Sequence, residues 1–122
     1  MGRRLGDRTA RRRQDERARS GRFPAHIRLT AGDEPGLFPW WQAGEVTVAG
    51  GVLRFRPRRS GVTIAADMLS SQLLNAAPDD VPAADNGDRL SALELQCATC
   101  TVELVVPTRY AADVARRLRM AK

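Results

Sequence analysis

The feature that most constrains the fold is the stretch GEVTVAGGVLRFRP at 44–57, in which two alternating apolar and polar runs meet at a pair of glycines. Alternation with a period of two is typical of a strand with one buried face, and Gly50–Gly51 can supply the positive φ values of a type I′ turn. That turn sets Val48 opposite Leu53, and a slip of one residue would spoil both faces. The sequence therefore predicts an antiparallel hairpin with a fixed register.

The same register sends arginines to the other face of this hairpin. Arg54 lies opposite Thr47, and Arg56 lies opposite Glu45, whose carboxylate we expect to neutralise it. The basic turn RPRRSG continues the run, so four arginines form a candidate anion-binding cluster: Arg54, Arg56, Arg58 and Arg59. Guanidinium groups suit phosphate and carboxylate oxygens because they donate paired hydrogen bonds. A solvated face without a ligand is the alternative.

A second hairpin is predicted in LELQCATCTVELVV at 93–106. With Ala98–Thr99 as its turn, Leu95 lies opposite Val102, and the apolar residues share one face. The same register sets two glutamates opposite each other, and Ala-Thr does not favour a type I′ turn. A longer loop with another register therefore stays open.

An amphipathic helix is predicted at the end of the chain, over 108–121. Tyr110, Val114 and Leu118 recur every four residues and form one apolar stripe. A further alternating run, FPAHIRLTAG at 23–32, predicts a strand. Strands followed by one terminal helix predict a mainly β chain, an antiparallel barrel or bent sheet capped by helix 108–121.

Two stretches between the hairpins give weaker signals. In 65–77, four apolar residues have helical spacing, which favours a short helix or an irregular connection: Met68, Leu69, Leu73 and Leu74. Residues 78–89 are rich in Pro, Asp and Ala and predict an acidic, solvated loop.

The N-terminal segment 1–22 holds most of the charge imbalance. It carries nine arginines and three acidic residues, a net charge of +6 that equals the charge of the whole chain. Its one large aliphatic side chain, Leu5, cannot offset the entropy of ordering, so we expect disorder or a loosely held helix, with a folded domain at 23–122. Anionic membrane, nucleic acid or simple solubility can each account for such a segment. The arginines expected to make electrostatic contacts are Arg11, Arg12, Arg13, Arg17 and Arg19.

No motif in the sequence predicts catalysis, a cofactor or a metal site. The serines do not form a nucleophile elbow, and the glycines follow neither a phosphate-binding nor a dinucleotide pattern. Zinc needs four ligands, and His26 alone could join Cys97 and Cys100. We expect His26 at the surface and the two cysteines half-buried beside a turn. A disulfide between them under oxidation is the alternative, ahead of redox or metal chemistry.

Aromatic residues are concentrated in LFPWW at 37–41. A domain with so few aromatics needs some of them for its core, so we expect at least one tryptophan to be buried. The alternative is an exposed interface, because Trp and Phe favour such surfaces; its residues are Phe38, Trp40 and Trp41.

The order of these features resembles the pleckstrin-homology-like fold, a bent barrel with one end plugged by a C-terminal helix. Three stretches carry the likeness: the basic run into a strand at 11–29, Trp41 followed by EVTVAGGVLRFR at 45–56, and VELVVPTRYAADVARRL at 102–118. More narrowly, the chain resembles an actinobacterial family of domains of unknown function. Members of that family usually have an N-terminal membrane span and a basic juxtamembrane stretch. The resemblance implies a binding or scaffold module and offers no catalytic residues.

These observations predict a non-catalytic module that binds a protein partner or an anionic membrane surface, assisted by segment 1–22. The alternative is a small nucleic-acid-associated protein that binds non-specifically through the same segment. No apolar run reaches the ~18 residues needed to span a bilayer, and no secretory signal is present. We therefore expect a cytoplasmic location, with peripheral binding at the inner membrane face as a variant.

Overall fold

The computed structural model describes residues 2–49, 52–59, 63–74, 77–78, 80–82 and 89–120. The elements are α1 (Gly2–Arg19), β1 (Arg22–Gly32), β2 (Gln42–Ala49), β3 (Val52–Pro57), β4 (Ile64–Leu73), β5 (Leu90–Cys97), β6 (Cys100–Pro107) and α2 (Thr108–Met120). Within this part of the chain, six antiparallel strands pair in sequence order, and β1 also pairs with β6, so the sheet closes into a barrel. The predicted mainly β fold with a C-terminal helix is confirmed.

Both predicted hairpins have the expected registers. In the first, Val48 pairs with Leu53 as predicted; its turn, Gly50–Gly51, lies outside the described residues. In the second, Leu95 pairs with Val102, which excludes the alternative of a shifted register. Apolar residues of each hairpin point into the barrel because the pleat alternates side chains between the two faces.

Segment 65–77 is the place where the predicted secondary structure is wrong. Residues 64–73 form strand β4, which pairs with β3 on one side and β5 on the other. The register shifts between Met68 and Ser70, as expected for a bulge, and this shift breaks the alternation that would have marked a strand. Leu69, within the bulge, is 60% exposed. Backbone pairing with two neighbours, rather than apolar spacing, therefore determines this element.

The core fills the barrel and extends under α2. The largest fully buried side chains are Phe23, Phe55, Ile27, Leu53, Leu93, Leu95, Leu104, Val46, Val102, Val105, Val106 and Val114. The predicted stripe of α2 is buried, and the Tyr110 ring lies 5.7 Å from the Phe23 ring. The helix thus closes the barrel by covering apolar side chains that water would otherwise reach.

Arg28 stabilises the glutamate pair of the second hairpin. Glu94 and Glu103 are cross-strand partners, which alone would be repulsive. From the neighbouring strand β1, Arg28 places Nε 2.9 Å and Nη2 2.8 Å from Oε1 of Glu103. Its Nη1 lies 2.8 Å from Oδ2 of Asp80, so the same side chain ties part of the acidic loop to the barrel. Residues 79 and 83–88 of that loop lie outside the described part.

Segment 1–22, for which the sequence left disorder and a loosely held helix open, contains α1, and the C-terminal half of α1 contacts α2. The hydroxyl of Tyr110 donates a 2.6 Å hydrogen bond to Asp15. At the end of α1, Arg117 donates to the carbonyl oxygens of Ala18 and Arg19, at 3.5 and 3.2 Å. A cation beside the carbonyl groups at the C-terminal end of a helix stabilises the helix. Ala18 itself is part of the buried core.

Candidate anion-binding surface

The outer face of the β2–β3 hairpin carries the predicted arginines. Arg54 pairs with Thr47 and Arg56 pairs with Glu45, as the sequence predicts. Both arginine side chains are exposed, while Phe55 between them is buried. The guanidinium groups of Arg54 and Arg56 thus both lie on the solvent-exposed face of the barrel wall.

Two further arginines reach this surface from β1 and α1. Arg22 is the β1 partner of Thr47, and its Nε lies 3.5 Å from Oε1 of Glu45. Arg17, in the last turn of α1, places Nη1 3.7 Å from Oε2 of the same carboxylate. We call this surface the basic face; it consists of Arg17, Arg22, Arg54 and Arg56 around Glu45.

The expected neutralisation of Arg56 by Glu45 is wrong. Both carboxylate oxygens of Glu45 form ion pairs with Arg17 and Arg22, and Arg56 forms none within the described part of the chain. The cause is twofold: the last turn of α1 brings Arg17 to Glu45, and Arg22 at the start of β1 supplies the second cation. Arg54 likewise has no ion pair with a described residue. Two arginines of the basic face are therefore available to an external anion.

Arg58 and Arg59 follow β3 and form the basic turn. Both side chains are exposed. The backbone N–H of Arg58 donates a 2.9 Å hydrogen bond to the carbonyl oxygen of Ala43 in β2, which holds the turn against the start of the hairpin. Arg54 and Arg56 thus lie on the exposed face of β3, and Arg58 and Arg59 follow at the C-terminal end of the same strand.

The aromatic loop, residues 37–41, divides its side chains between core and solvent. Leu37 is buried, whereas Phe38 is 38% and Trp40 59% exposed. The Phe38 and Trp40 rings stack in parallel, with centroids 4.5 Å apart. Trp41 is half-buried beneath the guanidinium of Arg28, which lies 4.4 Å from its ring centroid. The expectation of a buried tryptophan is therefore wrong: Leu37 supplies the core contact, Trp41 is only half-buried, and Phe38 and Trp40 lie on the surface.

A cavity of about 560 Å³ joins the aromatic loop to the end of β3. Phe38 lines it from the loop, Pro57 from β3 and Ile64 from β4. Pro57 directly precedes the basic turn, so the stacked aromatic pair and Arg58–Arg59 lie at the same end of the barrel. The loop position is fixed by the N–H of Leu29, which donates a 2.8 Å hydrogen bond to the carbonyl oxygen of Phe38.

The predicted contact residues of segment 1–22 lie on α1. Arg11, Arg12, Arg13, Arg17 and Arg19 are all exposed. Of these, Arg17 contacts the barrel through Glu45. The participation of α1 in the basic face is the feature that sequence reasoning missed, and no local signal marks it, because it depends on how a distant helix docks.

The remaining candidate residues are more buried than the sequence predicts, which places His26 at the surface and leaves the two cysteines half-buried. His26 is half-buried on β1, opposite Ala43 and Val105. Cys97 and Cys100 are free and buried beside the β5–β6 turn. Among the residues that the structure describes, no group of three or more His, Cys, Asp or Glu side chains could hold a metal ion.

Comparison with protein-family models, with curated proteins and with solved structures finds no match to this chain. Across the described ranges, neither helix combines the length and the apolar character that crossing a bilayer requires.

Proposed function

We propose that this chain is a non-catalytic module that binds the anionic surface of a phospholipid membrane through its basic face. The observation that carries the proposal is the pair of exposed arginines, Arg54 and Arg56, that form no ion pair with a described residue. Each basic side chain near an anionic bilayer contributes about 1 kcal/mol of attraction. These two arginines therefore supply about 2 kcal/mol, or about a 30-fold change in affinity.

The aromatic loop favours a membrane over nucleic acid. Trp40 is 59% exposed and stacks on Phe38, so the pair presents a compact apolar projection beside the basic turn. Apolar and aromatic side chains next to arginines are typical of proteins that bind at the headgroup level of a bilayer. Because the Phe38 and Trp40 rings stack on each other, they offer less ring surface to nucleic-acid bases than the separate aromatic side chains of proteins that bind single strands.

The resemblance to pleckstrin-homology-like domains that are usually membrane-anchored supports the same class of function. In this proposal the arginines of α1 extend the attraction, and the protein acts from the cytoplasm at the inner face of the membrane. Binding is peripheral and sensitive to salt because exposed charges supply most of its free energy.

Vesicle co-sedimentation tests the proposal. The full chain is mixed with vesicles of phosphatidylcholine, with and without phosphatidylglycerol, and with duplex DNA in a parallel pull-down. The double substitution Arg54→Gln and Arg56→Gln should weaken binding to anionic vesicles about 30-fold. The matched control, Arg89→Gln with Arg116→Gln, removes the same charge from exposed positions elsewhere and should change binding much less.

Three results would overturn the proposal. Equal binding to neutral and anionic vesicles would remove its electrostatic basis. Equal losses in the two double variants would show that net charge, and not the basic face, is recognised. Binding to DNA without binding to anionic vesicles would establish the nucleic-acid alternative instead.

Tryptophan fluorescence tests whether the aromatic loop takes part in membrane binding. The chain has two tryptophans, so Trp41→Phe leaves Trp40 as the only reporter, and Trp40→Phe leaves Trp41. We expect the emission of Trp40 to shift to shorter wavelength on anionic vesicles and the emission of Trp41 to stay unchanged. The reverse pattern would place the docking surface elsewhere.

A further inference from the structure

The turn of the β5–β6 hairpin holds two thiols face to face. Gln96 pairs with Thr101, so Cys97 and Cys100 are the next opposed positions on either side of the two-residue turn. Opposed Cβ atoms in antiparallel strands lie about 4.5–5.5 Å apart, and a disulfide needs about 3.5–4.5 Å. A small closure of the hairpin end is therefore enough to join the two sulfurs.

Neighbouring elements hold this turn from both sides. The N–H of Ala98 donates a 3.0 Å hydrogen bond to the carbonyl oxygen of Asp67, and the N–H of Asp33 donates a 3.2 Å hydrogen bond to that of Thr99. The hydroxyl of Thr99 donates a 2.7 Å hydrogen bond to Glu34. These contacts keep the turn two residues long and both thiols directed into the same buried space.

Gly32 permits the close approach of β1 to this turn. Its φ is +77°, and a Cβ built on it would lie 2.4 Å from the carbonyl oxygen of Thr99. Any larger residue would have to push the turn away. The position of the two cysteines is thus fixed by long-range packing as well as by the hairpin.

The two thiols differ in acidity. Burial raises the pKa of Cys97 to about 12, with a further contribution from Cys100. Burial also raises the pKa of Cys100, but a hydrogen bond from Cys97 to its sulfur opposes the rise. Both thiols therefore stay protonated at neutral pH in the closed fold, and Cys100 is the easier of the two to ionise, because the hydrogen bond from Cys97 partly offsets the effect of burial.

We propose that Cys97 and Cys100 form a reversible modification site for low-molecular-weight disulfides. When the end of the hairpin opens and exposes the buried Cys100 sulfur, the Cys100 thiol loses its proton, and its thiolate attacks one sulfur of the small disulfide. A mixed disulfide forms, and one small thiolate leaves and takes up a proton. The Cys97 thiol then loses its proton, and its sulfur attacks Sγ of Cys100, which releases the second small thiol. The two cysteines are oxidised by two electrons to an intramolecular disulfide, and the small disulfide is reduced to two thiols.

Mass spectrometry of the full chain treated with oxidised glutathione tests this site. The wild-type chain should lose two hydrogen atoms and regain them on treatment with dithiothreitol. The variant Cys97→Ser should retain one glutathione on Cys100, because the resolving thiol is missing. The variant Cys100→Ser should react more slowly, because the remaining thiol, Cys97, is the harder of the two to ionise.

A second measurement keeps the test independent of variants that fail to fold. A trivalent arsenical, phenylarsine oxide, needs two adjacent thiols, and the folded wild-type chain should take up one molecule. Lasting glutathione adducts on both cysteines of the wild type would overturn the proposal. So would the absence of any reaction in the folded chain under conditions in which the urea-unfolded chain oxidises completely.

Discussion

Glu45 offers a direct test of the electrostatics of the basic face. Its carboxylate oxygens lie 3.5 Å from Arg22 and 3.7 Å from Arg17. The substitution Glu45→Gln preserves the size of the side chain and removes the negative charge at the centre of the face. Two guanidinium groups then lose their internal partner, so we expect stability and membrane affinity to change in opposite directions.

The expected loss of stability is small. The side chains of Arg17 and Arg22 are 58% and 47% exposed, and exposed ion pairs contribute about 0.2–1 kcal/mol each. Urea denaturation should therefore show a decrease of about 0.4–2 kcal/mol in the free energy of unfolding for the two pairs together. The expected gain in binding is about 1 kcal/mol for the charge removed, or about fivefold tighter binding to anionic vesicles.

Co-sedimentation with vesicles that contain phosphatidylglycerol measures the gain. The matched control is Glu94→Gln, which removes one carboxylate from β5, away from the basic face. The control should change the affinity by less than Glu45→Gln does. If Glu45→Gln binds no more tightly than the control, the carboxylate does not limit the basic face and the reasoning is refuted.

Three further predictions concern the barrel itself. A Cβ at Gly44 would lie 2.2 Å from the carbonyl oxygen of Arg56, so Gly44→Ala should lower the free energy of unfolding by about 1–3 kcal/mol in thermal denaturation; an unchanged midpoint would contradict the close approach of β2 and β3. Arg28→Ala leaves Glu103, whose side chain is 14% exposed, without its cation, and urea denaturation should show a loss of about 2 kcal/mol; no loss would mean that the ion pair is not stabilising. Burial, with a contribution from Cys100, raises the pKa of Cys97 from 9.0 to about 12, so the folded chain keeps a proton that the unfolded chain loses. The contribution of Cys97 to the free energy of unfolding should be fully present below pH 9 and should fall as the pH rises toward 12, by up to about 1.4 kcal/mol per pH unit. The variant Cys97→Ser should lack this part of the fall. An identical fall in the variant would show that the titrating group is not Cys97.

The sequence predicts those elements in which local patterns and tertiary packing agree. Two glycines and strict alternation determine the register around Val48 and Leu53, and spacing by four determines the buried stripe of α2. The outward direction of Arg54 and Arg56 follows from the same alternation. Two of the four arginines of the basic face are thus predictable from the sequence of the hairpin alone.

The other half of the basic face depends on contacts between distant segments. The ion pair of Arg17 with Glu45 exists because α1 docks beside the hairpin, and Arg28 compensates the repulsion within the second hairpin from a third strand. The sequence predicts a helix or an irregular connection in place of strand β4, because the bulge in this strand interrupts the alternation of apolar and polar residues. The exposure of Trp40 follows from Leu37, which fills the core in its place, and no pattern in the sequence distinguishes the two.

The dependence of vesicle affinity on salt most directly tests whether this protein binds membranes through exposed arginines. Affinity for vesicles that contain phosphatidylglycerol is measured over a series of salt concentrations, for the wild type and for the variant with Arg54→Gln and Arg56→Gln. We predict a steep fall in wild-type affinity with rising salt and a shallower fall in the variant, because two charge contacts are lost. Equal slopes for the two proteins would contradict the account.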